Sequence, residues 1–156
     1  MKYTRLSKEQ FENLSEEFAR FLASQSITAE EWEKLKTENP KMVEDELDIF
    51  SDLIWEGTLN KVYYLENWSE QQVFLFKFNE NEIHLIAVKI SVPGVNLLTN
   101  EGIQWLEKNI GEDTVEIFEA EKKYTLDTKL EKFNFIKEGA VISKGEFYSS
   151  LNQLLK

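Results

Sequence analysis

The chain has 156 residues, no cysteine, one histidine and a formal net charge of −11, from 29 acidic against 18 basic side chains. That length fits one domain of common size, and it buries enough surface to fold without a covalent staple. The missing cysteines exclude disulfides, thiolate catalysis and cysteine-type zinc sites. Residues 28–70 hold 12 acids against 4 bases, net −8, so most of the charge lies in one middle region. No basic stripe is present to displace counterions from a nucleic-acid backbone, so direct nucleic-acid binding is disfavoured. Basic proteins or cations are the natural complement.

Apolar residues make up 42% of the chain and aromatics 13%, which suits a packed core rather than disorder. MKYTRLSKEQFENL lacks the apolar stretch of a signal peptide, and no apolar run approaches the length of a membrane span. The expectation is a cytoplasmic protein with no membrane partner.

In chain order, Ser7-Lys8-Glu9-Gln10 has the pattern of a capping box. Phe11, Leu14, Phe18 and Phe21 follow at helical spacing, which predicts an amphipathic helix over 8–24. Thr28-Ala29-Glu30-Glu31 starts a second, short helix with Trp32 and Leu35 inward. Asn39-Pro40 reads as an N-cap with proline at the first helical position, so a third helix runs from Pro40 to Glu56 and ends at Gly57.

That third helix carries Glu44, Asp48, Asp52 and Glu56 four residues apart. At 100° per residue they fall at about 0, 40, 80 and 120°, a ladder of carboxylates along one face. Val43, Leu47, Phe50 and Ile54 fall at about 240–300°, the opposite stripe, and Trp55 falls inside the acidic one. Like charges at this spacing repel by a few tenths of a kcal/mol per pair, roughly, and no lysine relieves them.

The period then changes. Tyr63, Tyr64 and Trp68 form an aromatic segment after the helix. Gln72–Phe78 and Ile83–Ile90 read as strands joined by Asn79-Glu80-Asn81, an antiparallel hairpin apolar enough for both faces to be covered. Pro93-Gly94 stops the second strand. Thr99 caps a helix with Ile103, Leu106 and Ile110, ended by Gly111. Val115–Ala120 is a third strand, and the polar stretch from Glu121 to Glu131 reads as an irregular connection. Phe133–Ile136 and Ala140–Ser143 have the look of short strands, and Ser143-Lys144-Gly145-Glu146 is a capping box before a last helix with Phe147, Leu151 and Leu154 inward. The fold class is α+β: N-terminal helices with a small, largely antiparallel sheet and two further helices. The organisation expected is one domain over 1–156, with a helical layer at 7–57 and a sheet-forming part at 72–156. The alternative is a loosely attached helical hairpin before an α+β core.

Three chemistries are open to these residues. Carboxylate oxygens suit Mg²⁺, Mn²⁺ or Ca²⁺, and Asp48 and Asp52 sit one turn apart, with Glu30 and Glu33 as candidates to face them. Glu30-x-x-Glu33 with Asp45-x-x-Asp48 resembles the paired acidic motifs of all-helical, Mg²⁺-dependent nucleotide pyrophosphatases, which implies a metal-dependent nucleotide or phosphoester hydrolase. Asp45 stands where that family has glutamate, the motifs lie close together, and a sheet has no place in that fold. The second chemistry is docking: Glu44, Asp48, Asp52, Trp55 and Glu56 offer charge and one aromatic to a basic partner, through ion pairs and cation–π contact. The third is a small-molecule site lined by Tyr63, Tyr64 and Trp68.

Set against these, a charge run on an amphipathic helix is most often a solvated face, and that reading is favoured for the ladder. Packing beneath the segment Lys61–Trp68 is favoured for Trp55. His84 shares a strand face with Ile86, Val88 and Ile90, and a packed, hydrogen-bonded histidine is its default. No glycine-rich phosphate loop, G-x-S-x-G pattern or histidine metal spacing is present. The balance leans away from an enzyme, with no resident cofactor. The apolar hairpin leaves room for a homodimer.

The strings MKYTRLSKEQFENL, SITAEEW, ELDIFSDLIWEG, FLFKF with HLIAVK, and GAVISKGEFY run nearly the full length. On them the chain resembles a family of short, acidic, uncharacterised proteins of Bacteroidetes, classed as a domain of unknown function. The resemblance implies a bacterial, cytoplasmic, single-domain protein, and it transfers no catalytic residue.

Overall fold

A computed structural model describes all residues, 1–156, with seven α-helices and one five-stranded sheet, an α+β fold. The chain divides into two compact units, Met1–Asn60 and Lys61–Lys156.

The first unit is helical: α1 Lys8–Asn13, α2 Ser15–Ser24, α3 Ala29–Glu38 and α4 Pro40–Asn60. The helix expected over 8–24 is therefore two, broken at Leu14, whose φ of −107° and ψ of 24° leave the helical region. Ser7 and Gln10 close the capping box at the start of α1, and Thr28 Oγ1 accepts the Glu31 amide at the start of α3. The buried rings of Phe50 and Trp32 are joined by half-buried Phe18, 5.0 Å from the Phe50 ring and 5.3 Å from that of Trp32. Leu6, Phe21, Leu22 and Ile27 complete the buried set, with the α4 stripe of Val43, Leu47 and Ile54 against it. Gly57 does not end α4. The helix continues to Asn60, and Leu59 in its added turn has no exposed surface. Burying a leucine gains about 1.5–3 kcal/mol, which outweighs the ~1 kcal/mol that a glycine costs inside a helix.

The second unit is built on an antiparallel sheet of order β4-β3-β2-β1-β5: β1 Tyr64–Trp68, β2 Gln72–Phe78, β3 Glu82–Ile90, β4 Val115–Lys123 and β5 Val141–Ser143. The aromatic segment at 63–68 is thus mostly a strand. Phe133–Ile136 belongs to helix α6, Thr128–Lys137, and not to a strand. Asp127 caps that helix through the Lys129 amide, and Phe133 and Ile136, three residues apart, share a helix face. The connection expected over 121–131 is shorter than its polarity suggested, because β4 extends to Lys123.

Both faces of the β2–β3 hairpin carry core. On one lie Val73, Leu75, Ile86, Val88 and Ile90, packed with Leu106 of α5 (Asn100–Asn109) and Tyr148 and Leu151 of α7 (Glu146–Leu154). On the other lie Phe78 and Ile83, beside Leu65 of β1, with the Phe135 ring of α6 tilted 34° to that of Phe76 at 4.4 Å. The Ser143 capping box does not form. Gly145 is the N-cap of α7 in the left-handed region, at φ 79°, and Ser143 Oγ accepts its amide while donating to Glu66. Leu154, expected inward, is exposed, and Tyr148 takes the buried place.

Candidate functional site

Residues 2–6 decide what the acidic ladder does. They form a strap along α4, antiparallel to it, and every carboxylate of the ladder accepts a hydrogen bond from the strap. Arg5 bridges Asp48, at 2.7 Å from Nε, and Glu44, through Nη1. Asp52 takes two backbone amides on its two oxygens, Lys2 N–H at 2.8 Å and Tyr3 N–H at 3.0 Å. Glu56 Oε1 takes Lys2 Nζ at 2.7 Å and the Tyr3 hydroxyl at 2.6 Å. The cations missing from the helix surface are supplied by the chain itself from about forty residues upstream.

Apolar anchors hold the strap in register. Tyr3 and Leu6 are buried, and the Leu6 amide donates to Ser51 Oγ at 3.0 Å. Trp55 is half-buried with its ring 6.4 Å from that of Tyr3. Its cover therefore includes Tyr3 of the strap, a contact absent from the packing partner expected after the helix. Two ionisations follow from this geometry. Asp48 and Glu44 raise the Arg5 pKa further above its ordinary value, through hydrogen bonds first and charge second. Burial, then the hydrogen bond to Glu56, pushes the Tyr3 phenol up to about 12.

The metal candidates do not converge. Asp48 and Asp52 are engaged by the strap, Glu33 pairs with Lys36 at 3.0 Å on α3, and Glu30 is exposed in the first turn of that helix. No three His, Asp or Glu side chains lie together in a position to hold a metal ion.

In the second unit, Tyr63, Tyr64 and Trp68 do not act as a set. Tyr64 and Trp68 point to one sheet face, where they meet Tyr148 at 5.6 Å and Phe147 at 5.4 Å. Tyr63 is 60% exposed, with Lys132 Nζ 5.6 Å from its ring centroid.

Tyr64 leads to a feature that residue-by-residue reading missed. The strand registers place Ser143, Tyr64, Lys77, His84 and Glu121 directly opposite one another across all five strands, a polar row over the full width of the sheet. Tyr148 of α7 lies over its centre and is hydrogen-bonded to His84 Nδ1. His84 Nε2 meets Glu119 Oε1 at 3.2 Å. A carboxylate only accepts, so with the imidazole neutral Nε2 carries the proton and Nδ1 receives the Tyr148 hydroxyl. His84 is thus a packed histidine, bonded at both ring nitrogens. Burial first, then the charges on Tyr64, Glu119 and Glu121, pushes the Tyr148 phenol up to about 12. Beside this group opens a polar cleft of about 270 Å³, which also takes in Lys77, Asn79 and Asn152. The single signal for it in the sequence is a polar residue in each of two adjacent apolar strands, Lys77 and His84, whose meeting depends on the hairpin register.

The chain belongs to the family described as "Family of unknown function (DUF6495)", which it matches over residues 1–156. Comparison with curated proteins and with solved structures yields no match. No helix is long and apolar enough to cross a membrane.

Proposed function

We propose that this member of a family of unknown function is a non-enzymatic interaction domain whose α4 ladder takes up a short, extended, basic segment of a partner protein. The observation that carries the reading is the strap, in which Lys2, Tyr3 and Arg5 satisfy all four carboxylates of Glu44, Asp48, Asp52 and Glu56. A partner segment with cations three residues apart and an aromatic between them meets the same acceptors, including Trp55 beside them. Asp52 binds main-chain amides, so a segment is also read as extended backbone, independent of its side chains there.

The strap sets the terms of entry. A tethered segment acts at an effective concentration of roughly millimolar, so a partner binds when its own segment is better or when the strap is released. The absence of cysteine and the strongly acidic middle region suit a cytoplasmic setting and a basic partner.

The test uses a labelled peptide, Lys-Tyr-Thr-Arg-Leu-Ser, and a variant lacking residues 2–5. The peptide binds the shortened protein at least about tenfold more tightly than the intact one, and Asp48→Lys with Asp52→Lys removes the binding. Native pull-downs then compare wild type with the double lysine variant. Retention of every partner by that variant at moderate salt, or no peptide binding by the shortened protein, sinks the proposal.

A further inference from the structure

The cleft beside His84 divides by charge. On one side is Lys77, half-buried, whose ammonium makes no ion pair and lies 6.0 Å from the centroid of the Tyr148 ring. The amides of Asn79 and Asn152 line the same cleft, as do Leu155 and a second cation, Lys156. On the other side are the carboxylates of Glu119 and Glu121 on β4. The strand between them carries His84, already bonded at both nitrogens. Lys77 and Glu121 lie two strands apart, so their backbones are about 10 Å distant, and side chains from both reach toward one volume.

This lining discriminates. A partly buried cation without a counter-ion favours an anionic group, and side-chain amides next to it add neutral donors. A free anion nevertheless meets the repulsion of Glu119 and Glu121. A free cation has the converse problem at Lys77. Only a molecule carrying both charges is favoured at both ends. The volume of about 270 Å³ is below the usual range of drug-sized pockets, so the occupant is small.

We propose that the cleft is a binding site for a small zwitterion of the free amino-acid class, its carboxylate on Lys77 between Asn79 and Asn152 and its ammonium toward Glu119 and Glu121. Tyr148 is a fixed wall of this site. It is only 4% exposed, and α7 is seated on the sheet where Gly145 meets the Tyr64 ring. Glu119 has two roles: it holds the imidazole through Nε2 and presents its second oxygen to the ligand. The site lies wholly in the second unit and is independent of the ladder on α4.

His84 is the one histidine of the chain, so its ring resonances are an unambiguous reporter. Free amino acids are added singly, at millimolar concentration, to the isotopically labelled full chain. At least one gives a saturable shift of the His84 ring signals, while sodium acetate and methylammonium chloride, the two halves of the ligand, give none. Lys77→Gln weakens that binding by about tenfold or more, with the melting transition retained. Asn152→Glu, at a half-exposed position, sets a carboxylate at the anion end and does the same should Lys77→Gln fail to fold. No saturable shift with any amino acid, an equal shift with acetate alone, or full affinity in both variants overturns the proposal.

Discussion

Ser51 and Leu6 form a latch. The Leu6 amide donates to Ser51 Oγ at 3.0 Å, and the Ser51 hydroxyl donates in turn to the Leu47 carbonyl at 2.8 Å. Ser51 has no exposed surface and Leu6 is buried, so neither group has water to fall back on. Ser51→Ala leaves the Leu6 amide without its acceptor at a cost of about 1–3 kcal/mol. Denaturant titration measures the loss, and faster exchange of the Leu6 amide shows that the strap has loosened.

The ionic part of the same contact contributes less. Arg5 and its partners Glu44 and Asp48 are all at least a third exposed, and pairs of that kind give about 0.2–1 kcal/mol. Arg5→Glu destabilises by about that amount at low salt, and the difference from wild type shrinks as ionic strength rises. Arg5→Glu combined with Asp48→Arg recovers part of it. A destabilisation independent of salt contradicts this assignment.

Two glycines respond oppositely to alanine. Gly145 has a φ of 79°, and a Cβ there falls 2.5 Å from the Tyr64 ring, so Gly145→Ala strains the backbone and lifts α7 off the sheet. The expected loss is about 1–3 kcal/mol, visible as a lower melting temperature and altered Tyr148 resonances. Gly57 lies inside α4 with nothing within 4 Å of a new Cβ. Gly57→Ala stabilises by about 0.5–1 kcal/mol.

Glu131 gives the acid limb of the stability profile a specific contributor. Burial raises its pKa, but the Thr125 amide and hydroxyl, the Leu126 amide and the Lys122 charge act the other way and hold it below its ordinary value of 4.5. The unfolded chain therefore takes up the proton first. Glu131 contributes fully above pH 4.5, and the contribution is lost as pH falls through the lower folded value. Glu131→Gln costs about 2 kcal/mol at neutral pH, and its unfolding curve converges on that of wild type in acid.

The tyrosines define the alkaline limb. Tyr3 and Tyr148, both pushed up to about 12, ionise after an ordinary phenol, whose value is 10.0. The unfolded chain loses these protons first, so their contribution is full below pH 10.0 and is lost as pH rises toward 12. In an absorbance titration of the five tyrosines, Tyr3→Phe and Tyr148→Phe each remove one late-titrating phenol.

Helix spacing, caps and the β2–β3 hairpin were legible because each rests on neighbours within four residues. The α4 stripe, the Thr28 and Thr99 caps and the Asn79–Asn81 turn are cases in point. What failed depends on distant partners. Gly57 reads as a stop until Leu59 is seen to be buried. Phe133–Ile136 is the exception: its short apolar run fits a strand, yet the Asp127 cap that commits it to a helix is a local contact. The ladder stood out in the sequence as acids without lysines, but its cations lie in residues 2–5, far outside any helical window. His84 was correctly read as packed and hydrogen-bonded, while Tyr148 and Glu119 were invisible as its partners until strand register joined them.

Because the strap joins residues 2–6 to residues 44–56, its contacts close the longest loop in the first unit. Loop closure is costly in chain entropy and is repaid only after α4 exists as a surface to close upon. The strap therefore closes after α4 has formed. Its opening takes Tyr3 and Leu6 out of their buried places while the Phe18–Phe50 contact stays within the helices, so uncovering the ladder costs apolar burial as well as hydrogen bonds.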